Sequence, residues 1–311
     1  MTEIKNGLFR ITLILLIAAI LLSPSHAQDL SQVQIKTIAI TEGIYMLEGG
    51  GGNIGVFAGE DGVLIIDSQF EELSDKVKAA IAEITSRKIR FVLNTNWHYD
   101  HVRGNVVYGK EGAVIFAHEK TLERMTSEQF HPDFNMTLPP YPKEALPQVT
   151  IPESMTIHFN GEDIHIRHIE NAHSDADLVF FFKKANVLQT GDIIFTGGYP
   201  YIDAPSGGSI EGMIKAGKKI LTVIDEKTKI IPGHGQPGTK VEVVKFVKML
   251  STVRDRIRKQ IDEGKSLKEV VASKPTADLD EDFSQQLPAD FFVMIVYNDL
   301  SGKYKKNNQI N

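Results

Sequence analysis

Residues 96–101 read Asn96-Trp97-His98-Tyr99-Asp100-His101, directly after the apolar run Phe91-Val92-Leu93. Imidazole nitrogen and carboxylate oxygen, packed this closely on one loop, are the donors that suit a divalent metal. The chain of 311 residues contains no cysteine, so any metal must be held by His, Asp, Glu or Asn. Three further segments offer such donors. They are Ala172-His173-Ser174-Asp175-Ala176-Asp177, Thr190-Gly191-Asp192 and Pro232-Gly233-His234-Gly235. Each follows an apolar run and is rich in glycine or small residues. Strand ends with tight loops bring distant side chains to one rim of a sheet. The candidate ligand set is therefore His98, Asp100, His101, His173, Asp192 and His234.

The elements that must position these residues are legible in the hydrophobic pattern. Ile44-Tyr45-Met46-Leu47 reads as a strand, and 53–58 with 63–67 read as a hairpin around Gly59-Glu60-Asp61-Gly62. Leu73, Val77, Ala80, Ile81 and Ile84 recur at helical spacing, a single buried stripe over 71–84. Residues 91–94, 113–117, 154–169, 178–182, 187–189 and 229–231 read as strands. Ile210, Met213, Ile214, Ile220 and Ile224 predict a helix that Ser209 is placed to cap. Val243, Val247, Leu250, Ile257 and Ile261 predict a second long helix, and 266–272 and 289–300 predict shorter ones. Strands alternate with helices in both halves, which predicts sheets covered by helices on their outer faces.

The segment 127–148 differs from the rest. It holds five prolines together with Phe130, Phe134 and Tyr141. It reads as a long irregular loop, of the kind that serves as a lid or a binding wall. Gly197-Gly198-Tyr199-Pro200-Tyr201 and Ser206-Gly207-Gly208 read either as plain turns or as a substrate wall that would carry Tyr199 and Tyr201.

The order and setting of the ligand segments resemble the metallo-β-lactamase superfamily, which carries a His-x-His-x-Asp-His loop, a later His, a bridging Asp after Gly, and a final His in a Gly-His-Gly context. The resemblance runs from about Ile44 to His234 and implies an α/β fold, an αββα sandwich of two mixed sheets. It also implies one or two zinc ions. One would be held by the first two loop positions and His173, the other by Asp100, His101 and His234, with Asp192 bridging. Here the first loop position is Asn96, and an amide oxygen is a poorer zinc ligand than imidazole. The lack of a Cys ligand and the presence of His101 resemble the third subclass of the family's β-lactamases. Asn96 resembles the second subclass, whose enzymes work with one zinc. The implied chemistry is a metal-bound hydroxide attacking a carbonyl, with Asp100 orienting the nucleophile. If one metal sits at Asp100, His101 and His234, then His98 or His173 is free to act as a general base.

Composition narrows the biological setting. The net charge is −6 without a long basic run, which argues against nucleic acid as a partner. Lys5 and Arg10 precede the apolar run 11–22, and Ser23-Pro24-Ser25-His26-Ala27 follows it. That is the pattern of a secretory signal peptide cleaved after Ala27, which leaves a single domain over 28–311. The expectation is a periplasmic hydrolase of a small molecule, free of the membrane after cleavage. A β-lactam ring is the leading substrate, and an antibiotic-resistance role follows from it. Another ester, thioester or lactone is the alternative, and a metal-binding protein with a weakened site is the rival from another class. Around the ligands, Asp67 is expected to orient one of them, and Trp97 and Tyr99 to pack about the loop. Asp175 and Asp177 are expected to serve a local turn, His118 either to support a ligand or to be a satisfied structural residue, and His131 has no supporting context in the sequence.

Overall fold

The computed structural model describes residues 30–304. The expected signal peptide, 1–27, lies outside them. The chain divides into two compact units, 1–33 and 34–311. Of the first, only a 3-10 turn at Leu30–Gln32 and the residue after it are described. Among the described residues no helix is long and apolar enough to cross a membrane.

The second unit contains strands β1 (Lys36–Thr41), β2 (Ile44–Glu48), β3 (Ile54–Gly59), β4 (Gly62–Ile66), β5 (Ile89–Leu93), β6 (Val114–His118), β7 (Gln129–His131), β8 (Met136–Leu138), β9 (Val149–Ile151), β10 (Ser154–Phe159), β11 (Glu162–Ile169), β12 (Asp177–Phe182), β13 (Val187–Phe195) and β14 (Lys229–His234). Its helices are α1 (Ser74–Ile84), α2 (Tyr99–Val102), α3 (Asn105–Lys110), α4 (Glu119–Met125), α5 (Ile210–Leu221), α6 (Lys240–Asp262), α7 (Leu267–Ala272), α8 (Asp280–Phe283) and α9 (Ala289–Leu300). A seven-stranded sheet runs β1-β2-β3-β4-β5-β6-β9, and a five-stranded sheet runs β10-β11-β12-β13-β14. Both are mixed. The first turns parallel from β4 onward, and the second only at β13 and β14.

Alternation along the strands builds the layers. In β4, Leu64 and Ile66 join the cluster that fills the space between the sheets, together with Phe57, Phe180 and Phe182. Val63 and Ile65 point the other way and pack with Val77 and Ile81 of α1. In the second sheet Leu178 and Phe180 face inward, and Val179 joins the outer cluster built on α5, α6 and α9. Each fully buried aliphatic or aromatic side chain contributes roughly 1.5–3 kcal/mol of transfer free energy, so a one-residue slip of such a strand is heavily disfavoured. The result is the expected αββα sandwich.

Two expectations needed correction. Residues 127–148 are not irregular throughout: β7 and β8 form a small hairpin, and a 3-10 turn follows at Lys143–Ala145. This hairpin has no long apolar alternation, so hydrophobic pattern alone does not reveal it. The strand expected at 187–189 runs on to Phe195, so Asp192 lies inside β13 rather than beyond its end. Gly191, at φ 51°, interrupts the register with β14 and lets the strand kink there.

Hydrogen bonds tie the two sheets together at one rim. The Leu178 N–H donates to the Thr95 carbonyl at 2.7 Å, and the Asn53 N–H donates to the Gly233 carbonyl at 2.7 Å. The Asn53 side chain donates to the Pro232 and Gly235 carbonyls at 3.0 and 2.9 Å. The chemistry-bearing segments all emerge along this rim.

Candidate metal centre

The loop after β5 is shaped by Asp67, the residue after β4. Its φ is 67°, a left-handed conformation uncommon for a non-glycine residue. Fully buried, its carboxylate accepts from the Thr95 N–H at 2.8 Å, the Thr95 hydroxyl at 2.8 Å and His101 Nδ1 at 2.9 Å. Asp67 thereby holds His101 as the tautomer that keeps its Nε2 lone pair for a metal. One turn of helix, α2, then sets Asp100 and His101 side by side.

His101 Nε2 lies 3.2 Å from Asp192 Oδ2 and 3.7 Å from Asp100 Oδ2. His234 Nε2 lies 3.3 Å from Asp100 Oδ2 and 3.4 Å from Asp192 Oδ1. His173 Nε2 lies 3.5 Å from Asp192 Oδ2. Donor atoms of Asp100, His101 and His234 gather within 4.8 Å of one another, and so do those of His98, His173 and Asp192. The structure thus brings all six expected side chains together, with Asp192 between two sets.

The donor atoms fit a metal. Among the described residues, His101 Nε2, His173 Nε2 and Asp192 Oδ1 are buried without hydrogen-bond partners. Leaving such atoms unpaired is costly unless something else satisfies them. Two glycines make the room. A Cβ on Gly52 would stand 2.2 Å from His101 Cε1, and one on Gly233 would stand 2.1 Å from Asp192 Oδ1. His234 and Asp100 are the partly exposed members, at 20% and 18% of their side-chain surface, and so mark the open side.

The electrostatics favour a cation. Burial works against the charge of Asp192 and Asp100, but the neighbouring imidazoles outweigh it and hold both carboxyls well below their usual range. Burial likewise opposes protonation of His101, yet Asp192, Asp100 and Asp67 lift it well above its ordinary value. His173 is pushed up to about 9, against its burial, by Asp192 and Asp177. A field that draws protons onto two buried imidazoles is one that a divalent ion can answer instead.

Around the six, the supporting residues sort clearly. Asp177 accepts from the Ser174 N–H and hydroxyl and from His173 Nδ1 at 3.1 Å, so beyond serving the turn it orients His173. Asp175 pairs with Arg124 at 2.6 Å. His118 caps α4, donates to the Pro152 carbonyl and stacks on His168 at 3.9 Å, a satisfied structural residue. Trp97 is 2% exposed and packs beneath the loop.

Asn96 is turned away from a ligand's role. Its carbonyl oxygen accepts from the His98 N–H at 2.8 Å, which leaves the amide Nδ2 to donate to Asp192 Oδ2 at 3.2 Å. The side chain therefore presents N–H rather than a lone pair to the site. The two tyrosines separate as well. Tyr201 stands on the wall, its ring 5.7 Å from that of His98 and 6.3 Å from that of His173. Tyr199 is placed in the core instead, fully buried, stacked on Phe292 at 4.7 Å, with its hydroxyl donating to Asp280. Two residues apart in an extended segment, they part because Tyr199 finds the apolar face of α9.

Sequence reasoning missed two residues. Asp203, fully buried, accepts from His98 Nε2 at 2.8 Å. His131 stacks on Trp97 at 4.7 Å and comes within 5.5 Å, centroid to centroid, of His98. Burial, then the nearby His98, pushes His131 down to about 4, so it is a neutral imidazole. The one signal in the sequence was His131's place inside the aromatic, proline-rich segment, and Asp203 offered none.

The family described as "Metallo-beta-lactamase superfamily" matches residues 47–234, more than half of the chain. A curated relative, an uncharacterized protein of Aquifex aeolicus (strain VF5), is 26% identical over 172 residues, which cover 55% of this chain and 77% of the relative. Among solved structures, a metallo-beta-lactamase from Pontibacter korlensis superposes with a TM-score of 0.58 at 13% identity, covering 70% of this chain and 99% of that one. A stereoselective inverting sec-alkylsulfatase from Pseudomonas sp. superposes with a TM-score of 0.66 at 15% identity, covering 89% of this chain and 52% of that one. The chain thus spans about half the length of the sulfatase. At these identities the two structures speak for the fold alone.

Proposed function

The chain belongs to the metallo-beta-lactamase superfamily, and from that premise we propose that it is a metal-dependent hydrolase acting on an activated carbonyl, the β-lactam ring first. The observation that carries the metal dependence is the convergence of the unpartnered atoms His101 Nε2, His173 Nε2 and Asp192 Oδ1. Asp100, His101 and His234, with Asp192 beside them, would hold the principal ion. His98, His173 and Asp192 form a second set, weakened by the amide of Asn96. A zinc ion held by such residues lowers the pKa of water to about 7 and so supplies a nucleophile at neutral pH.

The remaining steps belong to the protein's own side chains. Asp100, on the open side, accepts a hydrogen bond from an incoming water and orients it toward the substrate. His173 is fixed by Asp177 through Nδ1, so its Nε2 faces the site. A cation held by Asp192 would weaken one of the three carboxylates that raise His173, with Asp177 and Asp203 remaining, and Nε2 would then be the atom placed to take a proton from water. Tyr201 and the hairpin residue Phe134, whose rings lie 4.9 Å apart, form an apolar wall beside His98 and exclude water from that side.

An ester, thioester or lactone is the second substrate class, reached by the same site. The pattern at 1–27 supports export, and the periplasm is the proposed compartment.

The test is a panel of nitrocefin, a carbapenem, a lactone, a thioester and a secondary alkyl sulfate, run with zinc-loaded protein of measured metal content. Lactam turnover is expected. Turnover of the lactone or thioester alone would move the assignment to the second class, and no turnover of any carbonyl substrate would refute the proposal. Asn96→His is expected to raise the occupancy of a second ion. Unchanged inertness in both forms would favour a binding protein over an enzyme.

A further inference from the structure

Asn96 leaves the His98 side of the centre one imidazole short, and the structure offers that imidazole elsewhere. His131, at the end of β7, is 3% exposed, and its Nε2 is buried without a hydrogen-bond partner among the described residues. A donor atom of His131 lies within 4.8 Å of donor atoms of both His98 and Asp203, and all three residues are buried. Asp203 sits 2.8 Å from His98 Nε2 through its Oδ2, while its Oδ1 accepts from the Ser206 N–H. The hairpin that carries His131 is held in place independently of any ion. Its ring stacks on Trp97, Asp133 accepts from Tyr201 and Tyr304, and Phe134 packs on Tyr201 and Phe291.

We propose that His131 replaces the imidazole missing at position 96, so that a second divalent cation is held by His98, His131 and Asp203 where the β7–β8 hairpin meets the ligand loop. The inference rests on the reading of the chain as a metal-dependent hydrolase. Two imidazoles and one carboxylate, with the remaining position open, form a donor set that catalytic zinc accepts. The rival set, His98 with His173 and Asp192, must share Asp192 with His101, His234 and the Asn96 amide. Among the described residues Asp203 has no such competition, since only His98 and the Ser206 N–H bond to its carboxylate there. A neutral His98 has one lone pair to give, so it serves one set or the other. That exclusivity makes the two arrangements separable by experiment.

Protein stripped with a chelator is titrated with zinc by equilibrium dialysis, and with cobalt(II) by visible absorption, for wild type, His131→Gln, Asp203→Asn, His173→Ala and His234→Ala. His131→Gln keeps a planar side chain against Trp97, so it guards against a folding failure in Asp203→Asn. Circular dichroism of each variant checks the fold. Wild type is expected to bind two ions. The weaker is expected to be lost in His131→Gln and Asp203→Asn, by more than the roughly 10–100-fold that an outer partner's loss costs, and retained in His173→Ala. Two ions in His131→Gln at wild-type affinity would overturn the proposal. So would loss of the weaker ion in His173→Ala alone. A single ion in wild type, abolished by His234→Ala, would overturn it while leaving the principal centre standing. No ion bound to wild type would overturn both.

Discussion

Replacing Asp67 with Asn isolates the role of a residue that never reaches the substrate. The two side chains are nearly isosteric, and Asn tolerates the left-handed conformation at φ 67° at least as well as Asp. In the native protein one carboxylate oxygen takes the Thr95 N–H at 2.8 Å, while the other takes the Thr95 hydroxyl at 2.8 Å and His101 Nδ1–H at 2.9 Å. The variant's amide oxygen must stay on the Thr95 backbone, because that N–H is buried and has no other acceptor. The NH2 group then faces His101. The Thr95 hydroxyl can rotate and accept, but the imidazole cannot. Either two N–H groups oppose each other, or the proton moves to Nε2 and occupies the lone pair 3.2 Å from Asp192. Both outcomes weaken the metal. Loss of such an orienting partner costs roughly 10–100-fold in affinity, which is about 1.4–2.8 kcal/mol. Competition against a chromophoric zinc chelator at pH 7 measures it, with circular dichroism as the control for folding. An affinity for the principal ion within about twofold of wild type would refute the claim that Asp67 fixes the His101 tautomer.

The other predictions follow from single contacts. Gly52→Ala places a methyl 2.2 Å from His101 Cε1 and 2.5 Å from Nε2, so the ring must leave its position. The variant is expected to lose the principal ion, and metal analysis showing wild-type content would contradict this. His173 is raised from 6.5 to about 9 in the folded, metal-free protein. A raised pKa stabilises the fold fully below 6.5, and that contribution is lost as pH rises through 9. His101 shifts in the same direction, so the melting temperature of stripped protein is expected to fall between pH 6.5 and 9, and Asp192→Asn is expected to flatten the slope. A melting temperature that is level or rising over that window would count against it. Thr239 caps α6, with its hydroxyl accepting from the Val241 N–H while Glu242 returns a bond to the Thr239 N–H. Thr239→Ala is expected to cost about 1 kcal/mol in denaturant unfolding and to leave metal content unchanged. A change in metal stoichiometry would show that α6 does more than support the sheet.

The six donor residues could be read from the chain because chemistry and pattern coincide there. Each is an unusual polar residue set against an apolar strand with small residues beside it. The hydrophobic period of each element then dictates which sheet face and which rim it serves. Leu64 and Val63 show how strongly alternation decides a layer, since one enters the inter-sheet core and its neighbour packs on α1. The expectation that Ser209 caps a helix came from the same local logic, while the place of Asp67 beside the ligands came from the family resemblance, and both contacts are present.

The sequence by itself determined the donor types and the covering of sheets by helices, because local periodicity and side-chain chemistry carry that information, and its resemblance to the superfamily implied the αββα sandwich. Only the tertiary structure decided what each polar group faces. Asn96 turns its oxygen to the His98 N–H and its nitrogen to Asp192, a choice made by partners 2 and 96 residues away. Asp203 reaches His98 across 105 residues, and His131 arrives on a hairpin that hydrophobic pattern did not reveal. Tyr199 and Tyr201 carry the same side chain and separate by the neighbours each meets, Phe292 for one and His98 for the other. Hydrogen bonds and metal coordination are short-ranged and directional, so they are settled by the final few ångströms of packing between segments remote in the chain.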